Sequence, residues 1–334
     1  MKKFLTIFIL CCSLKHIYAQ DPHFSQFFAS PLTLNPAFTG KFNGNYRVAA
    51  NHRNQWPTIN NAFITSTASV DFHIMQSNIS SNDMWGVGFM GMSDNSAGSA
   101  VKQNYFSFST AYHKGLDEDG THQLGFGIQA TYANMFINTA GLKFEDQLTA
   151  TGFTGVSSEI FNNATLQNNY IDLNAGLLYN GSTSERNNFY AGISVYHINR
   201  PQQQFTGALF NLNPRATFHA GGYFPVGEST TMHFSGLHST QGNANETVLG
   251  GALQITPSQQ NYNPFSLYVG SWIRVKDAII PYVGVEYNNF RLGMTYDVNT
   301  SSLKTASQRM GGFEVSLIFT NQPNTEKPIN CPKF

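Results

Sequence analysis

Along most of the chain, apolar and polar side chains alternate one by one, the period of two that sends successive residues to opposite faces of an extended strand. In "FRLGMTYD", Phe290, Leu292, Met294 and Tyr296 share one face, and Arg291, Gly293, Thr295 and Asp297 the other. "LGFGIQATY" sets Leu124, Phe126, Ile128, Ala130 and Tyr132 against Gly125, Gly127, Gln129 and Thr131, and "FYAGISVYH" aligns Phe189, Ala191, Ile193 and Val195. No helical period of 3.6 competes in these windows. About fourteen such runs are found. They lie near 45–52, 62–73, 84–92, 102–113, 121–135, 169–180, 187–197, 214–225, 229–238, 246–256, 264–275, 278–287, 289–297 and 310–320. Turn signals separate them, among them Asp119-Gly120, Asn180-Gly181, Lys276-Asp277 and Asn288-Asn289.

An even number of strands suits a closed bacterial barrel, in which short periplasmic turns alternate with longer extracellular loops. The three longest connections, near 136–168, 198–213 and 298–309, all follow odd-numbered strands and so fall at one end. With a periplasmic start they face outside, and both ends of the chain are then expected at the short-turn end. Composition sharpens the picture. Only 11% of the chain is charged and 14% is aromatic, against about 25% charged in ordinary soluble domains. Beyond the N-terminus no apolar run nears the roughly 18 residues of a spanning helix. The expected fold class is all-β: a transmembrane, antiparallel outer-membrane β-barrel of about 14 strands.

Lys2 and Lys3, the apolar "FLTIFIL" and a small residue at Ala19 read as a secretory leader over 1–19. Its removal leaves Cys331 as the one cysteine, so neither an intramolecular disulfide nor a cysteine-based metal site is expected. Lys+Arg 19 balances Asp+Glu 19 with no basic run, which argues against nucleic acid as a partner. Membrane lipid is the expected covering of the apolar faces. The domain plan is a segment at 20–40, periplasmic or a plug, a barrel over 41–320 and a periplasmic tail over 321–334.

Several motifs dissolve on inspection. "GVGFMG" satisfies G-x-G-x-x-G at Gly86, Gly88 and Gly91, but loop follows it where a nucleotide site needs a helix. Gly86 and Gly88 instead suggest a strand face on which something packs closely. "DEDG" at 117–120 has Ile128 where a calcium loop wants Glu, and His233 and His238 would point to opposite faces of a strand. No nucleophile turn of the G-x-S-x-G kind accompanies the serines and histidines. No cofactor, metal site or enzyme activity is expected. More informative is "YRVAANHRNQWPTI": Arg47 and Arg53 have even spacing and point the same way, and Trp56 follows. Inside a barrel such arginines could narrow a pore, fix a plug through carboxylates or grip a partner, or simply belong to a lumenal charge network beside an interfacial Trp.

The opening "QDPHFSQF" and "NPAFTG" resemble the N-terminal hallmark of the PorP/SprF family, outer-membrane proteins of the type IX secretion and gliding machinery. "HRNQW", "GVGFMGMSDNSAG", "GISVYHINRP", "SWIRVKDAIIPYVGVEY", "RLGMTYDVNTSSL", "GGFEVSLIF" and "CPKF" are similar to further family blocks in the same order. The resemblance implies an integral outer-membrane location and a role in secretion or in anchoring secreted proteins at the cell surface. Implied partners are type IX components of the periplasm and outer membrane, and cargo or an adhesin with a C-terminal sorting domain. The alternative carried beside it is a gated channel for small hydrophobic or peptide solutes.

Phe24, Phe27 and Phe28 left loose in water would expose apolar area that wants burial, and Pro22, Pro31 and Pro36 disfavour a ladder strand. An irregular packed segment is expected, a lumenal plug or a docking peptide. Its candidate contact residues, with the first strand, are Asp21, Phe24, Phe27, Phe28, Asn35, Pro36, Arg47, Arg53 and Trp56.

Overall fold

The computed structural model describes residues 21–59, 62–161, 163–184, 186–205, 208–257 and 265–321. The expected leader over 1–19 and the expected tail beyond 321 lie outside these residues. The strands in chain order are β1 (Tyr46–Gln55), β2 (Phe63–His73), β3 (Met84–Ser96), β4 (Val101–Gly115), β5 (His122–Asn138), β6 (Leu148–Thr149), β7 (Gly152–Phe153), β8 (Thr165–Ser184) and β9 (Asn187–Tyr196). They continue as β10 (Gln202–Phe205), β11 (Ala208–Asn211), β12 (Arg215–Pro225), β13 (Thr230–Gln241), β14 (Ala244–Ile255), β15 (Phe265–Arg274), β16 (Ala278–Tyr287), β17 (Phe290–Asn299) and β18 (Met310–Thr320). Two small ribbons, β6–β7 and β10–β11, stand in the loops, and the remaining strands form one closed antiparallel barrel. The expected fourteen strands are all there. β1 seals the wall against β18, with Arg53 opposite Glu314 and Ala50 opposite Leu317.

The alternation sorts the side chains as the sequence requires. Leu292 and Met294 on β17, Phe126 and Ile128 on β5, and Val283 on β16 are exposed on the outer wall. They form a band that suits hydrocarbon, because each backbone group finds its partner within the sheet. The intervening residues line the lumen. The strands overrun their expected limits chiefly at the end with the long connections: β3 runs to Ser96, β5 to Asn138 and β13 to Gln241, while β8 begins at Thr165. There the outward positions become polar, as at Ser93, Asn95, Asn104, Gln167 and Asn169. The wall has left the apolar layer, so the hydrophobic alternation fades while the hydrogen-bond ladder continues.

A barrel of eight strands is filled by its own side chains, whereas one of sixteen or more holds a channel. Fourteen leaves room for a length of chain. Residues 21–42 occupy that room as short turns, Phe27–Ala29, Pro31–Leu34 and Pro36–Phe38, with nearly every residue from Phe24 to Phe42 buried. Asp21 lies at the long-connection end, beside Gln241 and His197, while Gly40 reaches His73 and Asp71 at the other. The segment therefore runs the length of the lumen before β1 begins. Both ends of the chain were expected at the short-turn end. Asp21 is not there, because a lumenal segment leading back into β1 must start at the opposite mouth.

Candidate functional site in the barrel lumen

Three sets of contacts hold the segment, one at each end and one along the wall. At the long-connection end, Ser25 Oγ donates to Asp297 at 2.8 Å, and its backbone N–H donates to Glu314 Oε2 at 2.7 Å. Arg53 binds Asp297 at 2.8 Å and the carbonyl of His23 at 2.9 Å. Arg274 joins the same carboxylate at 3.0 Å, donates to Ser25 Oγ and reaches Glu246. Buried charges without such pairing would cost several kcal/mol each; here the wall residues pair with one another, and the segment adds the Ser25 hydroxyl and N–H and the His23 carbonyl to the network. Beside it, Asp21 meets His197 at 2.7 Å, Arg215 at 3.5 Å and Gln241 at 2.9 Å, and His197 lies 3.0 Å from Asp172.

At the short-turn end, Arg47 donates through Nε and Nη2 to the two oxygens of Asp71 at 3.0 and 2.7 Å. Its Nη2 also reaches the Phe38 carbonyl, and Asp71 accepts the Gly40 N–H at 2.8 Å. His73 binds the Gly40 carbonyl, and buried Lys41 binds Gln123. Arg47 and Arg53 thus face the lumen together, as their even spacing requires, but they serve opposite ends of the segment.

Between the clamps lies an apolar wall. Phe28 packs on Trp272 with ring centres 4.7 Å apart and meets Tyr282 edge-on at 5.5 Å, while Phe27 stands edge-on to Phe28. Phe38 meets Tyr190 and His219, and Phe24 is buried. Burying each phenyl contributes roughly 1.5–3 kcal/mol. Asn35 donates to the carbonyls of Leu177 and Ile193 and contacts His219, while its own oxygen caps the Pro36–Phe38 turn through the Ala37 N–H.

Glycines on the wall admit this irregular backbone. A Cβ on Gly86 would come within 2.6 Å of the Gly40 Cα, and one on Gly127 within 2.5 Å of the Pro36 carbonyl carbon. Gly40 itself has φ +73°, a left-handed turn that glycine adopts readily. The close approach that the glycines of "GVGFMG" suggested is made by this chain's own N-terminal segment.

The structure brings Asp21, Phe24, Phe27, Phe28, Asn35, Pro36, Arg47 and Arg53 into the lumen. Trp56 stands apart: its ring packs edge-on to Phe63, and its backbone N–H donates to the Gly311 carbonyl beyond the end of β1. Sequence reasoning missed the carboxylates that complete the clamps, Asp71, Asp297 and Glu314, and the second arginine, Arg274. Each sits at a lumenal position of an alternating strand, a signal common to every wet-face residue.

The family model for the type IX secretion system membrane protein PorP/SprF matches residues 17–319. Among solved structures, the chain is similar to the deltaS2S3 mutant of the monoaromatic hydrocarbon channel TodX, with 8% identity, 87% of this chain and 94% of that chain covered, and a TM-score of 0.51. The deltaS2 mutant of the same channel gives 9% identity, coverage of 89% and 94%, and a TM-score of 0.50. The Pseudomonas putida toluene transporter TodX gives 8%, 90% and 94%, and 0.48. Identities this low speak for the shared barrel fold alone. Comparison with curated proteins gave no match.

Proposed function

Because the chain belongs to the PorP/SprF family of type IX secretion system membrane proteins, we propose that this integral outer-membrane barrel is a noncatalytic component that supports secretion, or holds secreted proteins with a C-terminal sorting domain at the cell surface. Its long connections face outward, in keeping with barrels of this kind. Its contacts are with type IX components of the periplasm and outer membrane and with the cargo itself.

One observation carries the reading against a solute channel: residues 21–42 occupy the lumen and are tied by charge clusters at both mouths. An open pore needs a continuous path through the lumen, and here that path is taken by Phe27, Phe28 and Phe38 packed on Trp272, Tyr282 and Tyr190. Chemistry then resides in shape and contact at the loops and mouths. In cells lacking this protein, surface display of sorting-domain cargo should fall while uptake of small hydrophobic and peptide solutes stays unchanged. Normal display together with lost solute uptake would assign the barrel to transport.

A further inference from the structure

β8, with 20 residues, is the longest strand of the barrel and runs on with β5 beyond the apolar band. Its even-numbered residues bond β5 in the manner of Ser182, whose N–H donates to Thr121, so its odd-numbered N–H and C=O groups point towards β9. β9 follows β8 only as far as Val195 opposite Ala175. It then leaves the ladder at His197, which adopts φ +60° and turns its ring to Asp21 and Asp172. Beyond that point Ile198 N–H bonds the Leu173 carbonyl, and the Asn199 side chain closes the next groups by accepting from Leu173 N–H and donating to the Ile171 carbonyl. From Ile171 N–H upward to Thr165, the odd-numbered backbone groups have no hydrogen-bond partner among the described residues.

This edge, "TLQNNYI", carries no charge and no proline, the devices by which proteins blunt a free strand. It is roughly 20 Å long at ~3.3 Å per residue. The β10–β11 ribbon lies beside it, Asn168 donating to the Gln204 carbonyl, and exposes Leu209 and Phe210. Unpaired backbone beside exposed apolar side chains is the chemistry that binds an extended peptide by strand addition.

We propose that residues 165–171 of β8 form a docking edge which takes an extended segment of a secreted protein as an added antiparallel strand; this rests on the function proposed above. A second copy is a poor occupant. Copies in one membrane point β8 in the same sense, so they cannot continue the antiparallel ladder that β9 breaks off. A secreted chain arriving from outside the membrane has no such constraint.

The test uses the full mature barrel in detergent and, as probe, the purified C-terminal sorting domain of a secreted protein from the same organism. Hydrogen exchange should slow at the amides of Gln167 and Asn169 when the domain is added. Gln167→Pro removes one edge donor while sparing the bonds to β5, and should weaken binding about tenfold or more. Gln167→Ala, which keeps the backbone donor, should bind as the parent does. Binding without slowed exchange at this edge overturns the proposed edge and leaves the proposed function standing, and this holds even if the proline variant fails to fold. Absence of binding, or conversion of the barrel to a dimer that buries the edge, overturns the docking proposal, and absence of binding also counts against the function.

Discussion

A methyl group on Gly176 would lie 1.8 Å from the side-chain oxygen of Asn35, so the barrel wall and the lumenal segment are cut to each other at that point. Asn35 cannot swing aside cheaply, because its amide nitrogen bonds two strand carbonyls and its oxygen caps the following turn.

Gly176→Val should therefore loosen the segment without opening the barrel. Overpacking of this kind costs about 1–3 kcal/mol, and hydrogen exchange at the Ala37 amide should quicken accordingly. Gly91→Val is the control, since a Cβ at Gly91 meets nothing within 4 Å. Unchanged exchange in Gly176→Val would mean that Asn35 is not held against the wall.

Asp71 supports three donors, two from Arg47 and one from Gly40. Asp71→Ala leaves a buried guanidinium unpaired and should cost about 3–5 kcal/mol, while a double replacement by Arg47→Met and Asp71→Leu should recover much of it. Urea unfolding of the barrel reconstituted in lipid vesicles measures both. Equal losses in the single and double variants would deny that the pair's charge is what matters.

The mouth cluster sets a pH window. Burial would raise the Asp21 carboxyl, but Arg215 and His197 outweigh it and hold it well below its ordinary 3.8. Burial lowers His197, but Asp21 and Asp172 prevail and raise it from 6.5 to about 9. The stabilisation from His197 is complete below 6.5 and disappears as pH rises through about 9; that from Asp21 is complete above 3.8 and disappears as pH falls through the depressed value. A spin label at Pro22→Cys, with Cys11, Cys12 and Cys331 replaced by Ser, should become mobile as pH passes about 9. His197→Gln should abolish that transition. A label equally mobile at every pH would contradict the clamp.

The barrel was legible because lipid imposes apolar residues at every second position, and "FRLGMTYD" or "LGFGIQATY" can satisfy that demand only as strands. Strand ends were not legible where the wall enters water: Gln167 and Asn169 continue the β8 ladder with outward side chains that no hydrocarbon constrains. Phe24, Phe27 and Phe28 announced a segment needing burial, and the lumenal placement of Arg47 and Arg53 followed from parity. Their partners did not. Asp297 and Glu314 are brought to Arg53 and Ser25 by closure of the barrel, and a local pattern carries no information about which wet-face residues meet across a lumen. For the same reason, the direction of the segment, with Asp21 at the far mouth, had no local signature.

Single-channel recording in planar bilayers tests the filled lumen most directly. The barrel should show no steady conductance, while deletion of residues 21–38 should yield a barrel that still runs as a folded band on gels, melts at a lower temperature and conducts in stable steps. Equal conductance with and without the segment would contradict a lumen filled by the chain's own N-terminal residues.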